Sequence, residues 1–145
     1  MKLFTIGFTK KSAAVFFTAL QRAGVKRLID VRLNNVSQLA GFTKKDDLQY
    51  FVHTICNIEY VHAQQLAPTQ DILNDYKKLK GRWDIYEKRF IQLMRDRRIE
   101  TSMSREEIDG ACLLCSEDKP EFCHRRLVAE YLRSAWNDVE ITHIW

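Results

Sequence analysis

Two thiols, an imidazole and two guanidinium groups fall within twelve residues, Cys115-Ser116-Glu117-Asp118-Lys119-Pro120-Glu121-Phe122-Cys123-His124-Arg125-Arg126. A thiol beside a histidine and an arginine is the usual setting of a nucleophilic or redox-active cysteine, because nearby positive charge favours the thiolate. The apolar run Ala111 to Leu114 leads into Cys115, and an amphipathic run beginning near Leu127 follows. The cluster therefore reads as a strand-to-helix turn, the place where α/β proteins hold ligands.

Within the turn, Cys123 lies at or just before a helix start, where unpaired N–H groups and the helix dipole favour an anion. Cys123 is accordingly expected to be the reactive thiol, with a lowered pKa and His124 as its proton partner. Against this stands the plain reading of a buried cysteine packed at a tight turn. Cations in a first helical turn oppose the dipole by roughly 0.3–1 kcal/mol each, so Arg125 and Arg126 call for an anionic partner. Arg126 has one at i+4 in Glu130, which leaves Arg125 as the candidate for a bound phosphate or carboxylate. Cys115 and Cys123 are too widely spaced for a CxxC signature. Their spacing still permits a transient disulfide, or a metal held with a histidine, and it assigns no metal ligand.

Elsewhere, Asp30-Val31-Arg32 sets an acid and a base at the end of a strand, where alternation turns both to one face. Asp30 reads as an orienting acid and Arg32 as part of an anion clamp. Cys115 and Glu117 are expected to line the site, with Gly7 and Thr9 on the loop opposite. His62 and His143, each at a strand end, are read as structural, and Cys56 and Cys112 as core.

Positioning these groups requires the following elements. Phe4 to Ile6 is a strand ending at Gly7, after which Ser12 caps a helix carrying Ala13, Phe16, Phe17 and Leu20 at i, i+3, i+4 and i+7, stopped by Gly24. Arg27 to Val31 is a strand, followed by a polar loop from Arg32 to Phe42. Thr43 is expected to cap a helix bearing Leu48, Phe51, Val52 and Ile55. A third strand, Ile58 to Val61, precedes a helix opened by Pro68-Thr69 that runs through Ile72, Leu73, Tyr76 and Leu79 to a break at Gly81. The next helix, Trp83 to about Arg98, buries Trp83, Tyr86, Phe90, Leu93 and Met94. A polar stretch, residues 100–109, reads as a mobile loop before the fourth strand. A helix from Arg126 to Ala135 and a strand from Val139 to Ile144 finish the chain, with His143 sharing parity with Trp145. Strands alternating with helices imply an α/β fold: a single three-layer domain over residues 1–145, with a mainly parallel sheet of about five strands and helices on both faces.

The 145 residues, 46% of them apolar, suit one core. No apolar run is long enough for a membrane span, and the N-terminus lacks a signal-peptide pattern, so the chain reads as soluble and cytoplasmic with its four cysteines reduced. A net charge of +4 is modest. The basic excesses at Lys10-Lys11 and around Arg95, Arg97 and Arg98 are not interleaved with aromatics, so nucleic acid is only weakly indicated. No cofactor is named by these residues, and nothing fixes the oligomeric state.

Thr5-Ile6-Gly7, Leu28-Ile29-Asp30-Val31-Arg32 with Ser37, and Cys112-Leu113-Leu114-Cys115-Ser116-Glu117 leading to Cys123-His124-Arg125-Arg126-Leu127 resemble the family known as domain of unknown function 488. Where that family commonly has His-Ser after its glycine, this chain has Phe8-Thr9. Where proline often follows the Asp-Val-Arg strand, it has Asn34-Asn35. The resemblance implies a small cytosolic α/β domain with a pocket near the Cys-His-Arg element, and no activity. From the residues themselves, the expected function is a thiol-dependent enzyme acting on an anionic or nucleotide-like substrate. The open alternatives are a non-catalytic nucleotide, phosphate or nucleic-acid binding module, and a Cys/His metal site.

Overall fold

Each strand of the sheet keeps a period of two and each long helix a period near 3.6, and together these decide which way the side chains on those elements face. The computed structural model describes residues 1–36, 41–78 and 82–144. Ser37, Leu79, Gly81 and Trp145 lie outside the described residues. The elements are β1 (Lys2–Gly7), α1 (Ala13–Ala23), β2 (Arg27–Asp30), α2 (Lys45–Cys56), β3 (Glu59–His62), α3 (Gln70–Lys78), α4 (Trp83–Arg97), α5 (Ile99–Ser102), α6 (Arg105–Ile108), β4 (Ala111–Cys115), α7 (His124–Trp136) and β5 (Glu140–Ile144). The five strands form one sheet in the order β3-β2-β4-β1-β5, with every pairing parallel.

Two apolar clusters cover the two faces. Phe4, Ile6, Leu28, Cys112 and Leu114 pack with Phe16, Phe17 and Leu20 of α1 and with Leu48 and Val52 of α2. Leu3, Ile29, Leu113 and Cys115 pack on the other face with Phe90 and Met94 of α4 and with Leu127, Val128 and Leu132 of α7. Strand alternation thus sends Cys112 into the first cluster and Cys115 into the second. Burying each of these Leu, Ile or Phe side chains is worth about 1.5–3 kcal/mol.

Neighbouring strands β2 and β4 are in register, Asp30 opposite Leu114. The chain leaving β2 goes on to α2 on one face, while the chain leaving β4 goes to α7 on the other. Divergence of adjacent strands opens a crevice beyond their carboxyl ends. Ser12 caps α1 as expected, its side chain accepting from Val15 N at 3.2 Å. Most strand ends differ from the sequence expectations by a residue or two, and three differences are larger or bear on the site. Thr43 belongs to a 3-10 turn, Gly41–Thr43, and Lys44 holds the N-cap position of α2 without a side-chain bond. α7 starts at His124 rather than Arg126, with Cys123 extended at the N-cap (φ −133°, ψ 135°). The polar stretch at residues 100–109 is structured, because Ile99, Met103 and Ile108 are buried and anchor α5 and α6. No helix among the described residues is long and apolar enough to cross a membrane.

Candidate functional site

Three elements converge on the crevice: the end of β4 brings Cys115, the first turn of α7 brings Cys123 and His124, and the chain just past β2 brings Val31 and Arg32. Cys115, Cys123 and His124 are all buried, and one ligand atom from each lies within 4.8 Å of the others. His124 Nε2 is 2.6 Å from the Val31 carbonyl oxygen. A carbonyl only accepts, so Nε2 carries the proton and Nδ1 is the bare nitrogen. Cys115 Sγ lies beside the ring, 3.6 Å from Nδ1 and 3.8 Å from Nε2. Phe90 packs against the imidazole, ring centroids 5.3 Å apart, and holds its tilt.

The two thiols are not equivalent. A hydrogen bond from Cys123 holds the Cys115 thiol below its ordinary pKa against the opposing effect of burial, with help from the Ser116 backbone N–H and the Arg125 charge. Cys123, the donor of that bond, is pushed well above its ordinary value, first by burial and then by Cys115. The lowered pKa expected at Cys123 therefore falls on Cys115. The physical reason is burial, which outweighs the favourable charges of His124 and Arg125 at Cys123.

Asp30 is fully buried and grips Arg32 with both oxygens, Arg32 Nε donating to Oδ1 at 2.9 Å and Nη2 to Oδ2 at 2.8 Å. Tyr60 donates its hydroxyl to Asp30 Oδ2 at 2.6 Å, and Arg32 Nη2 also reaches the Thr43 carbonyl at 2.6 Å. Burial works against the Arg32 charge, but the Asp30 hydrogen bonds and charge override it and the pKa is raised. The Tyr60 phenol is pushed up by burial and by Asp30, and stays protonated as a donor. His62 is tied to the Arg32 carbonyl oxygen, its Nε2 at 2.8 Å, and His143 Nδ1 lies 2.6 Å from Thr5 Oγ1.

Arg32, Cys115, Ser116, Glu117, Cys123 and His124 line a cavity of about 240 Å³. Its opposite wall is aromatic: Tyr76, Trp83, Tyr86 and Phe122. Trp83 stacks on Tyr86 with centroids 4.8 Å apart and planes 19° apart, and Phe122 meets Trp83 edge-on at 5.8 Å. The wall combines α3, α4 and the β4–α7 loop. The sequence pattern assigns Tyr76, Trp83 and Tyr86 to the apolar faces of helices and singles out neither Phe122 nor Tyr60. The helical spacing of Trp83, Tyr86 and Phe90 is the available signal, but periodicity does not distinguish a core face from a cavity wall.

Asp30, which reaches the cavity only through Arg32, and three further candidates from the sequence are not in its lining. Arg125 is fully buried, with Nη1 donating to the Glu117 carbonyl at 2.5 Å and Nη2 to that of Asp118 at 3.2 Å. The anion expected for it is replaced by these carbonyl oxygens. Thr9 donates both its backbone N–H and its hydroxyl to the Ser116 carbonyl, at 3.1 Å and 2.6 Å. Gly7 lies so close that a Cβ there would stand 1.6 Å from the Glu117 oxygen. Gly7, Thr9 and Arg125 thus hold the β4–α7 loop, as does Lys11 through its 3.1 Å ion pair with Asp118. Arg126 pairs with Glu130 at 2.8 Å, the expected i,i+4 contact.

Among known families, the model described as Domain of unknown function DUF488 matches residues 12–132. Comparison with curated proteins gave no match, and neither did comparison with solved structures.

Proposed function

The chain belongs to the domain of unknown function DUF488 family, and from the geometry of its own site we propose that it is a thiol-dependent enzyme acting on a flat, anionic substrate of nucleotide-like character. The observation that supports this reading is the relay from Cys115 Sγ through His124 Nδ1 to the Val31 carbonyl. Nucleophile, base and orienting group stand in the order that nucleophilic catalysis needs.

Cys115 passes its proton to His124 Nδ1 while Val31 keeps the opposite ring N–H in place. The thiolate forms a bond to an electrophilic centre of the substrate. The imidazolium then returns the proton to the departing group, and Cys123 steadies the sulfur through its S–H. Acid–base help of this kind is worth about 10²–10⁴ in rate. Arg32, fixed by Asp30 and Tyr60, takes the substrate's anionic group, and the aromatic wall takes its flat part. The reading keeps His124, Asp30 and Arg32 in the roles expected from sequence, moves the nucleophile from Cys123 to Cys115, and gives Gly7, Thr9 and Arg125 the task of holding the loop.

A pair of alkylating probes tests it. An iodoacetamide carrying an aryl carboxylate is expected to label Cys115 faster than plain iodoacetamide, and Arg32→Gln is expected to remove that advantage. Equal rates for the two probes in the unsubstituted protein would reject the substrate class.

A further inference from the structure

Cys115, Cys123 and His124 present two sulfurs and an imidazole nitrogen within 4.8 Å of one another, and we propose that they bind one metal ion of the zinc(II) class, with its fourth position open to the aromatic-walled cavity. Thiolate and imidazole together select zinc and similar borderline-soft ions over calcium or magnesium.

The spacing fits. Bonds of about 2.3 Å to sulfur and 2.0–2.1 Å to nitrogen at tetrahedral angles require roughly 3.6 Å between sulfur and nitrogen and 3.8 Å between sulfurs. Cys115 Sγ and His124 Nδ1 are already 3.6 Å apart. Cys123 Sγ, inside the 4.8 Å limit, needs to close by no more than about 1 Å.

The surroundings fit as well. His124 donates its Nε2–H to the Val31 carbonyl, the outer contact that a metal-bound histidine nearly always makes, which leaves Nδ1, at 3.6 Å the ring nitrogen nearer to Cys115 Sγ, as the donor. All three residues line the same cavity, which gives a water or a substrate atom a route to the fourth position. Three protein ligands with an open position is the arrangement of catalytic rather than structural zinc. On binding, each thiol gives its proton to solvent, and two thiolates neutralise the ion's charge.

This inference does not rest on the thiol enzyme reading. A metal on Cys115 uses the sulfur electron pair that the nucleophile would use, so the metal-loaded protein is the capped form of the site.

The test titrates the reduced, chelator-treated full chain with cobalt(II). One equivalent per chain is expected to give sulfur-to-cobalt charge-transfer absorption with the strong visible bands of a tetrahedral ion, and zinc(II) is expected to displace it. Cys115→Ser and Cys123→Ser should each lower the charge-transfer intensity, with circular dichroism checking that they fold. The spectrum of the unsubstituted protein decides even where a variant fails to fold: weak octahedral bands without charge transfer would overturn the inference. Iodoacetamide labelling separates the two readings. Fast labelling of Cys115 in the metal-free protein with no cobalt–sulfur band rejects the metal alone. A cobalt–sulfur band with slow Cys115 labelling in the metal-free protein rejects the nucleophile alone.

Discussion

Substituting Gly7 by alanine places a methyl group 1.6 Å from the Glu117 carbonyl oxygen, 2.6 Å from its carbon and 3.0 Å from Arg125 Nη1. Carbon atoms pack without strain at about 3.5–4.0 Å, so the carbonyl must retreat by roughly 2 Å. It is backbone, flanked by the Ser116 carbonyl that Thr9 holds twice, and cannot rotate aside as a side-chain tip would. The same oxygen accepts from Arg125 Nη1 at 2.5 Å, so its retreat also opens that bond. Arg125 is fully buried and its Nε already has no partner. Overpacking costs about 1–3 kcal/mol, and a buried donor left unpaired costs about 1–3 kcal/mol more. Gly7→Ala is therefore expected to lower unfolding free energy by roughly 3 kcal/mol or more, measured by urea denaturation at unchanged slope. Gly24 is the control: a methyl group there would meet nothing within 4 Å, but its φ of +70° is left-handed, so alanine costs only about 1–2 kcal/mol. A Gly7→Ala variant as stable as Gly24→Ala would refute the reasoning.

Three further outcomes are expected. Asp30→Ala leaves Arg32 buried without its bidentate partner, and chemical denaturation should register a loss of about 3–5 kcal/mol; a loss below about 1 kcal/mol would mean that the pair is dispensable. His143 has its pKa lowered from 6.5, first by burial and then by the charge of Arg125. The unfolded chain then binds a proton that the folded one refuses, so this contribution to stability is intact above pH 6.5 and is lost as pH falls through the folded value. Stability against pH should lose that slope in His143→Gln, and an unchanged slope would contradict it. Phe122 is 62% exposed yet packs edge-on against Trp83. Phe122→Ala should therefore change stability by less than about 1 kcal/mol while slowing the aryl carboxylate probe at Cys115; undiminished labelling would remove Phe122 from the site.

The sheet and the address of the site were legible because they follow from local periods. The alternation of Ala111 to Cys115 shows that Cys115 and Cys112 face opposite ways, and the adjacency of Asp30 and Arg32 announces their pairing. What stayed hidden depends on contacts across the fold. The opposite pKa shifts of Cys115 and Cys123 come from burial and from the approach of two thiols eight residues apart, which only the folded loop brings together. Arg125 looked like an anion ligand because the carbonyls it meets, those of Glu117 and Asp118, become its partners only when the loop folds over Gly7. Tyr60 reaches Asp30 across the β2–β3 pairing, a contact that no spacing in the chain announces. The aromatic wall was hidden for a different reason: Trp83 and Tyr86 carry the same helical period whether they face a core or a cavity.

The central claim is that Cys115, rather than Cys123, is the reactive thiol. The most direct measurement is peptide mapping after substoichiometric iodoacetamide at pH 7 on the reduced, chelator-treated protein. The label is expected on Cys115 ahead of Cys123 and Cys112, and faster than on an unperturbed thiol. Label appearing first on Cys123, or on Cys115 no faster than on that reference thiol, would contradict the account.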